Sequence, residues 1–113
     1  MIIIRDNTKG GALTEVTFLI LLSVYTPNHG YGILQWIQKE TNGRVILGAG
    51  TLYGAINTLL KKRWIEAVSL DAGERKKEYI ITALGKSMAE SEINRLAGLL
   101  FSAQKIIKED KGV

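Results

Sequence analysis

Three observations predict a mainly α (α+β) fold. Apolar residues recur at helical spacing in four segments that cover most of the chain. Two short β-rich runs, WIEAVSL and KKEYIIT, flank a glycine-containing turn, Asp71-Ala72-Gly73-Glu74, as in a hairpin. The C-terminal segment then runs without proline on a coiled-coil spacing. The order is helix, helix, short strand, helix, hairpin, long helix, and three helices with a two-stranded hairpin are the parts of a winged helix-turn-helix.

The elements follow in chain order. Residues 1–11 are expected to form an N-terminal arm closed by Gly10-Gly11, with the winged helix-turn-helix over 12–82 and a C-terminal dimerisation helix over 83–113. LTEVTFLILLSVY places apolar residues at 13, 16, 20, 21 and 24, which predicts a largely buried helix with Thr14 as its N-cap. Pro27 and Asn28 interrupt it. HGYGILQWIQKETNG predicts a second helix, with Ile33, Trp36 and Ile37 on its inner side, Asn28 as its cap and Asn42-Gly43 as its stop. Val45, Ile46 and Leu47 make at most a three-residue strand.

From Thr51 the apolar stripe Leu52, Ile56, Leu59 and Leu60 predicts a third helix. At 100° per residue Gly54, Asn57, Thr58 and Lys61 fall on its opposite side. After the hairpin and the cap Thr82, a helix runs from Ala83 to about Asp110. Its apolar residues Ile93, Leu96, Leu100, Ala103 and Ile107 are spaced 3, 4, 3, 4. Such a helix is about 40 Å long, more than a small domain covers, and its apolar seam wants a partner, most simply a second copy of the chain.

Composition narrows the function. A chain of 113 residues, 46% hydrophobic and 23% charged, makes one ordinary globular domain. The absence of cysteine removes disulfides, thiolate zinc sites and cysteine nucleophiles, and one histidine does not make a multi-histidine metal site. No catalytic, cofactor or metal residues are expected. The apolar run Phe18–Tyr25 is far shorter than the roughly 20 residues that span a bilayer. The start, MIIIRDNTKGG, is apolar before it is charged, the reverse of a secretory signal. A soluble, unprocessed, cytoplasmic protein without a membrane partner is expected.

The net charge of +4 is concentrated: residues 61–77 hold six of the fifteen basic side chains against three acids. A basic patch favours a polyanionic partner, and the bland alternative is a solvated helix end. The stretch VILGAGTLYGAINTLLKKRW also invites a dinucleotide reading, but Tyr53 stands where G-x-G-x-x-G needs its third glycine. GKS at 85–87 lacks the first P-loop glycine, because position 80 is Ile80. No serine sits in a nucleophile elbow, and the carboxylates are scattered.

Double-stranded DNA gives each remaining feature a role. The helix from Thr51 presents a small, polar outer face of the kind that enters the roughly 12 Å major groove. Asn57 can pair with an adenine edge, Lys61 with guanine or phosphate, and Thr51 can hold a phosphate at the helix N-terminus. Thr58 shares that face, and Lys62 extends the basic end. Arg75, Lys76 and Lys77 open the second hairpin strand and supply phosphate or minor-groove contacts at the wing tip. His29 and Tyr31 start the second helix, where they either touch the DNA backbone or, for His29, cap the helix. Trp36 and Trp64 read as core residues that can alternatively line a small-molecule pocket. The competing reading of the whole surface is a protein-interaction module whose basic face binds an acidic protein.

LTE (13–15), HGYGI (29–33), GTLYGAINTLLKKRWI (50–65) and RKKEYIITALGK (75–86) follow the pattern of PadR-type transcriptional regulators in order and spacing. The resemblance extends from about Leu13 to Ile107 and is closest to the short subfamily with one C-terminal helix. It implies a homodimeric repressor that pairs through this helix, with the first helix in the same interface. It also implies a palindromic operator and, in some members, release from DNA by a small-molecule effector at the dimer interface. The DNA-facing positions fall on Tyr31, Thr51, Tyr53, Asn57, Lys61, Lys76 and Lys77. Gly54 stands where proline commonly follows GTLY, and Phe101 is the only aromatic residue of the C-terminal helix.

Overall fold

The computed structural model describes residues 11–68 and 77–112. Residues 1–10 of the expected arm, the turn Asp71–Glu74 and the basic residues Arg75 and Lys76 lie outside the described residues. The chain is mostly helical with one small sheet, in the order α1 (Glu15–Ser23), β1 (Asn28–His29), α2 (Gly30–Glu40), α3 (Ala49–Lys61), β2 (Ile65–Val68), β3 (Glu78–Ile81) and α4 (Ala83–Asp110). This is a winged helix-turn-helix with a long C-terminal helix.

Local capping explains the helix starts. Thr14 Oγ1 accepts from the Thr17 N–H at 3.1 Å, and Thr82 Oγ1 accepts from the Gly85 N–H at 3.0 Å, as expected of both caps. The cap of α2 is not Asn28 but His29, whose Nδ1 accepts from the Gly32 N–H at 3.0 Å. Asn28 is drawn away because it pairs with Tyr79 in the sheet, and its Nδ2 donates to the Ser23 carbonyl at 3.3 Å. The expected two-stranded hairpin is therefore part of a three-stranded sheet of order β1-β3-β2. Both pairings are antiparallel, with Ile65 opposite Ile81 and Val68 opposite Glu78.

Two further expectations are corrected. Val45–Leu47 is not a strand. Val45 and Leu47 pack against the core while Ile46 is 69% exposed, and a strand requires a ladder partner that this segment does not have. The helix expected from Thr51 begins two residues earlier, at Ala49, with Gly48 as an N-cap that offers no side-chain hydrogen bond. It closes through Arg63, which takes the left-handed conformation at φ 61°, while the Trp64 N–H bonds the Leu59 carbonyl at 3.1 Å.

The core draws on every element but β1: Ile20 and Leu21 from α1 with Val24 at its end, Ile33 and Ile37 from α2, Leu52, Ile56 and Leu59 from α3, with Trp64, Ile65, Tyr79, Ile81 and Met88 beneath the wing. Leu60 and Trp36 are half-buried at its edge. Trp64 is fully buried, and the Lys62 ammonium lies 4.7 Å from its ring centroid.

The wing base is locked to α4 by a dense set of bonds. Thr82 N–H donates to the Trp64 carbonyl at 2.9 Å, and its hydroxyl reaches the carbonyls of Arg63 at 2.7 Å and Trp64 at 3.1 Å. A Cβ on Gly85 would lie 2.1 Å from the Trp64 carbonyl oxygen, so only glycine allows α4 this close. The GKS triplet therefore has a packing reason in the fold.

Farther along α4, Glu92 is 4% exposed and tied to Arg95 by two hydrogen bonds of 2.8 and 2.6 Å. Beyond it the helix leaves the body of the domain. Ile93, Leu99, Leu100, Phe101, Ile106 and Ile107 are each more than half exposed. Among the described residues no helix is long and apolar enough to cross a membrane.

Candidate nucleic-acid interface

Helix α3 buries Leu52, Ile56 and Leu59 and turns Thr51, Tyr53, Gly54, Asn57, Thr58 and Lys61 to solvent. The apolar stripe fixes this orientation, since burying it against α2 and β2 leaves the other side of the cylinder free. Thr51 is the third residue of the helix, inside the first turn. The Thr58 hydroxyl folds back onto the Gly54 carbonyl at 3.2 Å. A Cβ added at Gly54 would meet no atom within 4 Å, so this glycine serves no packing need inside the chain.

Beside this face lies an open concavity of about 540 Å³, lined by His29, Gly30, Tyr31, Tyr53, Asn57, Lys77 and Tyr79. Three parts of the fold meet there: the start of α2, the outer face of α3 and the root of the wing. Tyr31 is 64% and Tyr53 47% exposed, whereas Tyr79 is only 6% exposed and forms the floor. Burial, and then the nearby Tyr53, hold the Tyr79 phenol above its usual value of 10.0. The Tyr79 phenol therefore stays uncharged at neutral pH, and Lys77 stands at the rim of the groove.

The fold thus gathers Tyr31, Tyr53, Asn57 and Lys77 in one concavity, with Thr51, Thr58 and Lys61 exposed on α3 beside it. Lys62 does not share that face: it is half-buried and sits over the Trp64 ring. Arg75 and Lys76 lie outside the described residues. Ile93, Leu96, Leu100, Ala103 and Ile107 are exposed along α4, away from the concavity. Of the two readings of His29 the helix cap is observed, and the side chain also lines the concavity.

Gly30 and Tyr79 are part of the groove wall and were absent from the candidate set. Both stand in the HGYGI and RKKEYIITALGK runs, but only the tertiary contact identifies what they line.

A sequence model of the transcriptional regulator PadR-like family matches residues 18–91. Uncharacterized protein X of Lysinibacillus sphaericus is 34% identical over 86 residues, covering 74% of this chain and 77% of the relative. Among solved structures, a PadR family transcription regulator from Clostridium difficile R20291 superposes with a TM-score of 0.70 at 22% identity, covering 83% of this chain and 99% of that one. Bacillus subtilis PadR in complex with operator DNA superposes with a TM-score of 0.61 at 20% identity, over 71% of this chain and 47% of that one.

Proposed function

The chain belongs to the PadR-like family of transcriptional regulators, proteins that regulate rather than catalyse, and on that premise we propose that it is a homodimeric repressor binding double-stranded DNA. The observation that carries this reading is the outward face of α3, where Thr51, Asn57, Thr58 and Lys61 are all exposed next to the groove of Tyr31, Tyr53 and Lys77. In this reading α3 enters the major groove, and Asn57 and Lys61 meet base edges or phosphates. Thr51 binds a phosphate at the helix N-terminus, and the wing clamps the flanking backbone through Lys77 with Arg75 and Lys76. Lys62 adds charge at the edge of the patch. The likeness to an operator-bound Bacillus subtilis protein supports the choice of DNA as partner.

Residues 12–82 act in this reading as the DNA-binding unit, residues 1–11 as an arm, and residues 83–113 as the dimerisation helix, in the cytoplasm. Two copies of α4 pair along Ile93, Leu96, Leu100, Ala103 and Ile107, which removes an otherwise solvent-facing apolar seam. A two-fold dimer reads a palindromic operator with half-sites about 34 Å apart. Effector release belongs to the same proposal, and the cleft of about 340 Å³ lined by Leu13, Phe18, Glu92, Arg95 and Leu96 beside the seam is its candidate seat.

The test is the affinity of the purified chain for the DNA upstream of its own gene, at several salt concentrations. Binding that weakens steeply with salt is expected, because each neutralised phosphate releases counterions. A log–log slope near zero overturns the reading.

A further inference from the structure

We propose that Gly30 is a positioning residue for DNA recognition, and that its missing side chain is the seat of the Tyr53 phenol. The inference rests on the DNA-binding reading above and assigns a role within it. A Cβ built on Gly30 would lie 2.2 Å from the Tyr53 hydroxyl oxygen, 2.7 Å from Cζ and 3.1 Å from Cε1. The outer edge of the Tyr53 ring therefore lies directly on the α2 backbone at its first residue, in space that any other amino acid would fill. Gly30 is buried, whereas Tyr53 keeps 47% of its surface exposed. One side of the ring is thus held by the protein, and the rest faces the concavity shared with Tyr31, Asn57 and Lys77.

The geometry also says what yields when the seat is filled. The atoms that meet the added Cβ belong to the far end of an exposed side chain rather than to backbone. A methyl group on Gly30 should swing the Tyr53 ring outward about its χ1 bond and leave the fold standing. This contrasts with Gly85, where the obstacle is the carbonyl of Trp64. A rigid phenol with two side-chain torsions loses little entropy on binding, provided its pose is already set. The gap at Gly30 sets that pose, and it also fixes how closely the recognition helix and the start of α2 meet a DNA backbone.

The experiment is a double-mutant cycle on the full chain. The probe is a duplex enriched from a random library by the unaltered protein, and G30A, Y53A and G30A/Y53A are compared in affinity, salt slope and melting temperature. G30A is expected to weaken binding about tenfold, as for loss of a hydrogen bond to a charged group. Its salt slope should stay unchanged because no cation is removed. Y53A should weaken binding by a similar factor, and the double variant should bind no worse than Y53A alone, because the displaced ring is already gone.

Affinities that fall multiplicatively, or a G30A that binds like the unaltered protein, overturn the assignment while leaving DNA binding intact. If G30A by itself unfolds, G30A/Y53A against Y53A decides: equal affinity supports the seat and weaker binding of the double variant overturns it. Failure of the unaltered chain to enrich any duplex would instead strike the functional reading beneath.

Discussion

The backbone N–H of Leu13 donates to the buried Glu92 carboxylate at 3.3 Å, across 79 residues of sequence. This bond ties the entrance of α1 to the first half of α4, and Glu92 is the one charged residue among the buried polar groups of the described core. The Arg95 hydrogen bonds chiefly, and then that of Leu13, hold the Glu92 carboxyl below its ordinary 4.5 against the opposing effect of burial.

A pH dependence follows with a definite sign. The folded state binds the Glu92 proton less readily than the unfolded chain, so stability rises with pH in this window. The contribution is complete above the unfolded value of 4.5 and is lost as pH falls through the lower folded value. Urea midpoints taken from about pH 5 to pH 3 should show a shallower acid limb for Glu92→Gln than for the unaltered protein. Glu15 is also lowered, by Arg44, but that pair is exposed and screened, so Glu15→Gln should leave the limb nearly unchanged. Superimposable limbs for Glu92→Gln and the unaltered protein would refute the assignment.

Gly85 should be the least replaceable glycine of the described chain. An added methyl meets the Trp64 carbonyl, a backbone atom pinned by two bonds from Thr82, so relief requires moving α4 away from the wing base. Gly85→Ala should cost about 2–3 kcal/mol and lower the melting temperature by roughly 10 °C or more. Gly54→Ala, in open space, should be neutral or stabilising by up to about 1 kcal/mol, because it sits inside a helix. Equal melting temperatures for the two alanine variants would contradict this.

On the proposed DNA face, Asn57 and Lys61 should separate by what they change. Lys61→Ala should weaken binding evenly across sequences and reduce the salt slope by about 1. Asn57→Ala should relax preference at one base pair, by about 1–3 kcal/mol of discrimination, with an unaltered slope. Selection from a random library on each variant reads both effects, and a protein-binding role would leave both predictions unfulfilled.

Leu100 is 58% exposed in the single chain, so a charge there should leave the domain folded and spoil the proposed seam. Sedimentation of Leu100→Glu should give a monomer where the unaltered chain is a dimer. Ser102→Glu, one step round the helix from the seam, should remain dimeric. A dimeric Leu100→Glu would place the subunit contact elsewhere.

The helices were legible because their information is local. A cap and the 3.6-residue stripe lie within one segment, and the starts at Thr14 and Thr82, the buried face of α3 and the length of α4 were all read from neighbouring residues. The polar outer face of α3 was read in the same way, as the complement of its stripe. That Arg63 would close α3 in a left-handed turn carried no local mark, since arginine has no preference for it.

The amino-acid order alone determined the four helices, the two hairpin strands, the family and the apolar side of α3. Tertiary structure decided the pairing of distant residues. Asn28 was free to cap α2 in any local view, and it became a strand residue only because Tyr79 reaches it through the sheet. Val45–Leu47 had strand-forming residues and found no edge to join. Gly30 beneath Tyr53, Gly85 beneath Trp64 and Glu92 at Leu13 bring together residues 21 to 79 positions apart. Such contacts leave no periodic trace, because they depend on where whole elements dock, and docking is set by the volume of the shared core rather than by neighbours along the chain.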